Sequence, residues 1–144
     1  MVNRILLAEN DTELIEGYER DLLKFGFEVE SVLDGDLILS RLKRYGRNYV
    51  DALVSDTDMI DMDGPVAVGQ AIEGKLVDLD RTVVIGMSDV EDNQKYWRGL
   101  VNYGCFYNRC RISDNRLGLT VAQCLRNFRV GGIWRERMLI LNSD

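Results

Sequence analysis

The sequence contains no histidine. That absence removes His-containing zinc sites, Ser-His and Cys-His nucleophile pairs, and any role as a phosphohistidine carrier. Cysteine is scarce: Cys105, Cys110 and Cys124 are odd in number and lack CxxC spacing. They read as buried, reduced thiols of a cytoplasmic protein. Proline occurs once, at Pro65. Long apolar runs are missing as well. Ile5-Leu6-Leu7-Ala8 stops at Glu9, too soon for a signal-peptide core, and no later run could span a membrane. Basic residues are outnumbered 18 to 24, and the net charge of −6 argues against nucleic-acid binding by the domain.

What is present is one ordinary domain. The chain has 144 residues, 46% hydrophobic and 29% charged, which suits a soluble fold with a substantial core. Ile5–Ala8 is a continuous apolar run, as expected of a strand covered on both faces. Asp11 or Thr12 can cap the helix that follows, in which Leu14, Ile15, Tyr18 and Leu22 recur at helical spacing before Gly26 stops it. Phe27 to Val32 alternates with period two, the pattern of a strand with a wetter face near an edge. Leu33-Asp34-Gly35 turns the chain into a second helix carrying Ile38, Leu39, Leu42 and Tyr45.

Ala52 to Ser55 forms a third apolar run, and it breaks into a loop holding Asp56, Asp58, Asp61 and Asp63. Pro65 fits the first turn of the next helix, where its missing N–H costs nothing. That helix is predicted over about 65–79, with Gly69 and Gly74 inside it. Each glycine costs about 1 kcal/mol of helix propensity and implies close packing. Thr82 to Met87 reads as a buried strand ending at Ser88-Asp89. A polar helix is predicted from about Val90 to Tyr103; its neighbours Tyr96 and Trp97 cannot both face the core. A weaker strand runs from Cys105 to Cys110, and a last helix starts near Asp114, with Leu117, Val121, Leu125 and Phe128 on one face.

Five strand–helix repeats with short connections make a doubly wound α/β fold with a parallel sheet and helices on both faces. Residues 1–129 form this domain. Residues 130–144, which open on the joint Gly131-Gly132, form an extension. Its Met138-Leu139-Ile140-Leu141 run is expected to pack on the domain or on a second copy in a homodimer.

In such a sheet the carboxyl ends of the first, third and fourth strands lie side by side. Glu9 and Asn10, Asp56, and Ser88 therefore converge, each among the first polar residues after an apolar run, and Arg111 approaches from the side. Clustered acidic oxygens either share a proton or hold a hard cation, and magnesium fits best because it takes oxygen ligands and keeps its waters. The aspartate spacing excludes an EF-hand, and no dedicated acid/base with a substrate pocket points to a hydrolase.

The run from Arg4 to about Phe128 resembles the receiver domain of bacterial two-component response regulators. Ile5-Leu-Leu-Ala-Glu9-Asn10-Asp11 is similar to the acidic first-strand motif. Asp51-Ala-Leu-Val-Ser-Asp56 with Met62-Asp63-Gly64 is similar to the phosphoacceptor strand and its loop. Ile85-Gly-Met-Ser88 matches the hydroxyl-bearing strand, and Gly104-Cys105 the opening of the fifth. The resemblance implies a flavodoxin-like five-stranded sheet in the order 2-1-3-4-5. It implies that Asp56 is a nucleophile phosphorylated by a histidine kinase or phosphotransfer protein, with Ser88 and Arg111 contacting the phosphoryl group. Magnesium would be held by Glu9, Asn10, Asp56 and the Asp58 carbonyl. Such a receiver switches a face for a downstream protein target; it is no enzyme beyond taking up its own phosphoryl group and losing it slowly. Asn10 replaces a second carboxylate and should weaken the metal site. Arg111 replaces lysine, Ile60 and Ile112 replace prolines, Asp89 replaces a small residue, and the aromatic switch position falls on Asn108 beside Tyr107. This pattern leaves a second function open, a phosphorylation-independent protein-interaction module on the same fold.

Overall fold

A computed structural model describes residues 2–88, 94–101, 103–108, 111–130 and 140–141. The elements alternate: β1 (Arg4–Ala8), α1 (Thr12–Lys24), β2 (Glu28–Val32), α2 (Gly35–Tyr45), β3 (Ala52–Asp56), α3 (Gly64–Glu73), β4 (Val83–Met87), α4 (Gln94–Val101), β5 (Phe106–Asn108), α5 (Leu117–Val130) and β6 (Ile140–Leu141). The strands form one parallel sheet in the order β2-β1-β3-β4-β5-β6. The first five follow the order 2-1-3-4-5. The sixth was not expected as a strand: Ile140 pairs with Tyr107 and Leu141 with Asn108 along the outer side of β5.

The period of two in each strand divides the core into two layers. Ile5 and Leu7 of β1, with Val54, Ile85 and Phe106, pack against Tyr18 and Leu22 of α1 and Leu117, Val121 and Leu125 of α5. Leu6 and Ala8, with Leu53, Val84 and Tyr107, face Ile38 and Leu42 of α2, Ala67, Val68 and Ala71 of α3, and Trp97 and Val101 of α4. Because β1, β3 and β4 are buried on both faces, polar side chains concentrate where these strands end. Residue 97 supplies the buried member of its aromatic pair: Trp97 is fully buried and Tyr96 is 53% exposed. Cys105 and Cys124 are buried free thiols, and desolvation pushes both up to about 12, far from the reactive thiolate range.

Several boundaries differ from the sequence-based expectation. α3 ends at Glu73, because Gly74 caps it and Lys75 turns away with φ of 56°. Gly69 is not closely packed; a Cβ there would meet only Leu100 Cδ2, at 3.9 Å. α5 begins at Leu117 rather than Asp114, where Asp21 of α1 accepts the Gly118 N–H at 2.7 Å and serves an amide of its first turn. Among the described residues β5 covers only Phe106–Asn108. Asp89, Arg109, Cys110 and residues 131–139 lie outside the described residues.

Candidate functional site

The site sits beyond the carboxyl ends of β1, β3 and β4. β1 delivers Glu9, which is fully buried and held by its own loop: Oε2 accepts the N–H groups of Asn10 at 2.9 Å and Asp11 at 3.3 Å. Asp11 caps α1 through Oδ1, accepting from Glu13 and Leu14, worth about 1 kcal/mol and fixing the strand-to-helix turn. β3 delivers Asp56, 2% exposed, in register with Met87 of β4, so Ser88 follows one residue beyond that pair and is itself fully buried. Asn10 and Asp58 lie exposed at the rim, and Arg111 is half-buried.

Gly64 makes the close approach of α3 feasible. A Cβ there would collide with the Asp56 carbonyl oxygen and with Ser55 Oγ, so only glycine lets the loop return this near to β3. Its N–H donates to the Thr57 carbonyl at 2.9 Å.

The electrostatics centre on two carboxyl groups. Asp56 is raised from 3.8 to about 8, first by burial and then by the Glu9 charge; the Thr57 N–H and the Arg111 guanidinium oppose the rise. With both groups ionised, Glu9 Oε1 and Asp56 Oδ1 lack a hydrogen-bond donor among the described residues. A single proton between the pair, or a hard cation, removes that deficit. Tyr18 stands beside them. Burial and the charges of Glu9 and Asp56 drive its phenol far upward, so it remains a donor, to the Ile112 carbonyl at 2.5 Å and weakly to Met87 Sδ at 3.8 Å.

The fold thus brings Glu9, Asp56 and Ser88 together beneath a rim holding Asn10 and Asp58, and Arg111 acts electrostatically on Asp56 and Tyr18. At the position expected for an aromatic switch, Asn108 is buried; Tyr107 stacks instead on Trp97, with ring centroids 6.2 Å apart. Sequence reasoning missed Thr57, whose hydroxyl donates to the Met87 carbonyl at 2.8 Å and accepts from Trp97 Nε1 at 2.7 Å. Its place next to Asp56 was the available signal.

A second acidic group lies nearby. Asp34, Asp36 and Asp61 bring carboxylate oxygens within 4.8 Å of one another. Asp34 is already satisfied, accepting from Gly35 at 2.7 Å, Asp61 at 2.8 Å and Met62 at 2.9 Å. Burial would raise its carboxyl, but these N–H groups outweigh burial and hold it below the usual range. Its oxygens tie the β3–α3 loop to α2.

No family model matches the sequence. The transcriptional regulatory protein PrrA of Mycobacterium tuberculosis is 33% identical over 89 residues, covering 62% of this chain and 36% of PrrA. PrrA of Mycobacterium leprae is 32% identical over the same length. The chain thus spans 36% of the length of the curated relatives it matches. Among solved structures, a response regulator receiver domain protein from Clostridium thermocellum is similar with a TM-score of 0.74 and 13% identity, over 90% of this chain and 98% of that one. A CheY-like receiver domain protein from Methanospirillum hungatei gives 0.73 and 17%, with the same coverage. The chain has the fold of response-regulator receiver domains, a class of signalling domains. Among curated proteins its similarity is to the transcriptional regulatory protein PrrA. No helix among the described residues is long and apolar enough to cross a membrane.

Proposed function

We propose that this chain is a signal-transduction receiver that accepts a phosphoryl group on Asp56. The observation that carries this reading is the Asp56–Glu9 pair: two buried carboxyl groups at adjacent strand ends, each with an oxygen lacking a donor among the described residues. An ordinary structural carboxylate in such a place would be satisfied by hydrogen bonds, as Asp34 is.

An Asp56 oxygen attacks the phosphorus of a phosphohistidine on a histidine kinase or phosphotransfer protein. The P–O bond forms as the P–N bond breaks, and the released imidazole takes up a proton from water. Ser88 hydrogen-bonds an oxygen of the transferred group, and Arg111 supplies positive charge. The residues fit a hard divalent cation, because Glu9 Oε1 and Asp56 Oδ1 are oxygen donors in need of a positive partner. Glu9, Asp56, Asn10 and the Asp58 carbonyl would hold magnesium, with Asn10 weakening it by one charge. Bound magnesium would neutralise charge on the carboxylate and the transferred group. The product carries about −1.5 to −2 charges where one carboxylate stood, enough to bias packing around β4 and β5 toward a downstream protein target. Slow loss of the phosphoryl group to water resets the chain. A cytoplasmic setting suits the free Cys105 and Cys124.

The test is incubation with magnesium and acetyl phosphate. A base-labile mass gain of one phosphoryl group is expected, and none in Asp56→Asn. Absence of the gain, or its survival in the variant, contradicts the reading and favours a phosphorylation-independent interaction module.

A further inference from the structure

We propose that Thr57 and Trp97 form a relay carrying the state of Asp56 to helix α4. The inference rests on the acceptor reading above and adds to it the path by which the signal leaves the pocket.

Thr57 meets three elements at once. Its backbone N–H donates to the Asp56 carboxylate. Its hydroxyl donates to the Met87 carbonyl at the end of β4 and accepts the indole N–H of Trp97 from α4. Thr57 is 1% exposed and Trp97 fully buried, so water is not at hand to replace either bond. The indole is also wedged in place. A Cβ on Gly86 would lie 2.6 Å from its ring atoms, so the ring occupies the space that any other residue of β4 would fill. Tyr107 of β5 stacks on the same ring system.

The geometry leaves few ways to relax. Phosphorylation converts the carboxylate that accepts from Thr57 into an acyl phosphate, and Ser88, the residue after Met87, turns to the new group. Thr57 and the Met87 carbonyl that accepts its hydroxyl are then both displaced. Either Trp97 follows and takes α4 with it, or a buried indole N–H loses its acceptor. Tyr96, next to Trp97 and 53% exposed, places an aromatic ring on the outer side of α4, where a displacement is visible to a partner.

Hydrogen–deuterium exchange of the full chain in magnesium, with and without acetyl phosphate, tests the relay. Phosphorylation of the parent should change exchange in the peptide spanning α4 by about fivefold, the factor for one net hydrogen bond in a local opening equilibrium. Thr57→Val should still gain the phosphoryl mass but lose the α4 response, and Thr57→Ser should recover it. If Thr57→Val does not fold, Trp97→Phe, which keeps a ring and removes the N–H, carries the same comparison. A phosphorylated parent with unchanged α4 exchange overturns the relay, as does a variant lacking the bond that responds like the parent. Absence of phosphoryl gain in the parent is a separate outcome: the acceptor reading fails, and the relay with it.

Discussion

Glu9 and Asp56 meet at the ends of neighbouring strands, both buried, and each has a carboxylate oxygen with no donor among the described residues. This relationship is costly to the folded state unless a proton or a cation intervenes. Much of what can be measured on the protein follows from it.

Above pH 8 in divalent-free buffer, where Asp56 has lost its proton, Asp56→Asn is expected to stabilise the protein by about 1–3 kcal/mol, because a like charge is replaced by a neutral amide that can donate to Glu9. Urea unfolding of the two proteins checks this. Added magnesium should stabilise the parent more than the variant; equal stabilisation would place the ion elsewhere.

The same pair makes a pH prediction. Asp56 titrates at about 8 in the fold instead of at 3.8, chiefly through burial and then through Glu9. Between these values the folded state holds a proton that the unfolded state has released, so this group's contribution to stability falls as pH rises through that window. In chelator, stability should decline toward pH 8 in the parent, and the decline should be reduced in Asp56→Asn. Parallel curves would show that Asp56 is not the titrating group.

Gly64→Ala should destabilise by about 2–4 kcal/mol, since its methyl group would be driven into the Asp56 carbonyl. Calorimetric melting gives the comparison, with Gly69→Ala as the control. The Gly69 site is open, and alanine there should be neutral or mildly stabilising.

Asp34→Ala should cost about 2–3 kcal/mol, because the N–H groups of Gly35, Asp61 and Met62 lose their acceptor. Asp36→Ala, at an exposed position, should stay within about 0.5 kcal/mol. Equal effects would mean that the acidic group works as a unit.

Deleting residues 131–144 removes β6 from the outer side of β5. A loss of about 1–2 kcal/mol is expected, together with a greater tendency to self-associate through the uncovered strand. Denaturant unfolding and light scattering would report both; a deletion that changes neither would contradict a packing role for the extension.

The strands were legible because Ile5–Ala8, Ala52–Ser55 and Val83–Met87 are apolar on both faces, a pattern that needs no knowledge of partners. Their ends then located Glu9, Asp56 and Ser88. What escaped was set by residues distant in the chain. Asp21 serves an amide of α5 from 97 positions away, and Trp97 reaches Thr57 across 40. Asp34 read as a simple turn residue because its acceptors' partners lie in the loop after β3. The two-residue β6 has too little sequence of its own to announce a strand.

The sheet's other margin, β2, carries a different consequence. Its outward backbone groups have no neighbouring strand among the described residues, yet it holds two glutamates, Glu28 paired with Arg4 at 3.4 Å and Glu30 paired with Arg41 at 3.2 Å. A second copy approaching edge to edge would bring acid against acid and would have to break these pairs. This margin thus protects the colloidal stability of the molecule, and it does so with charge rather than with a covering strand.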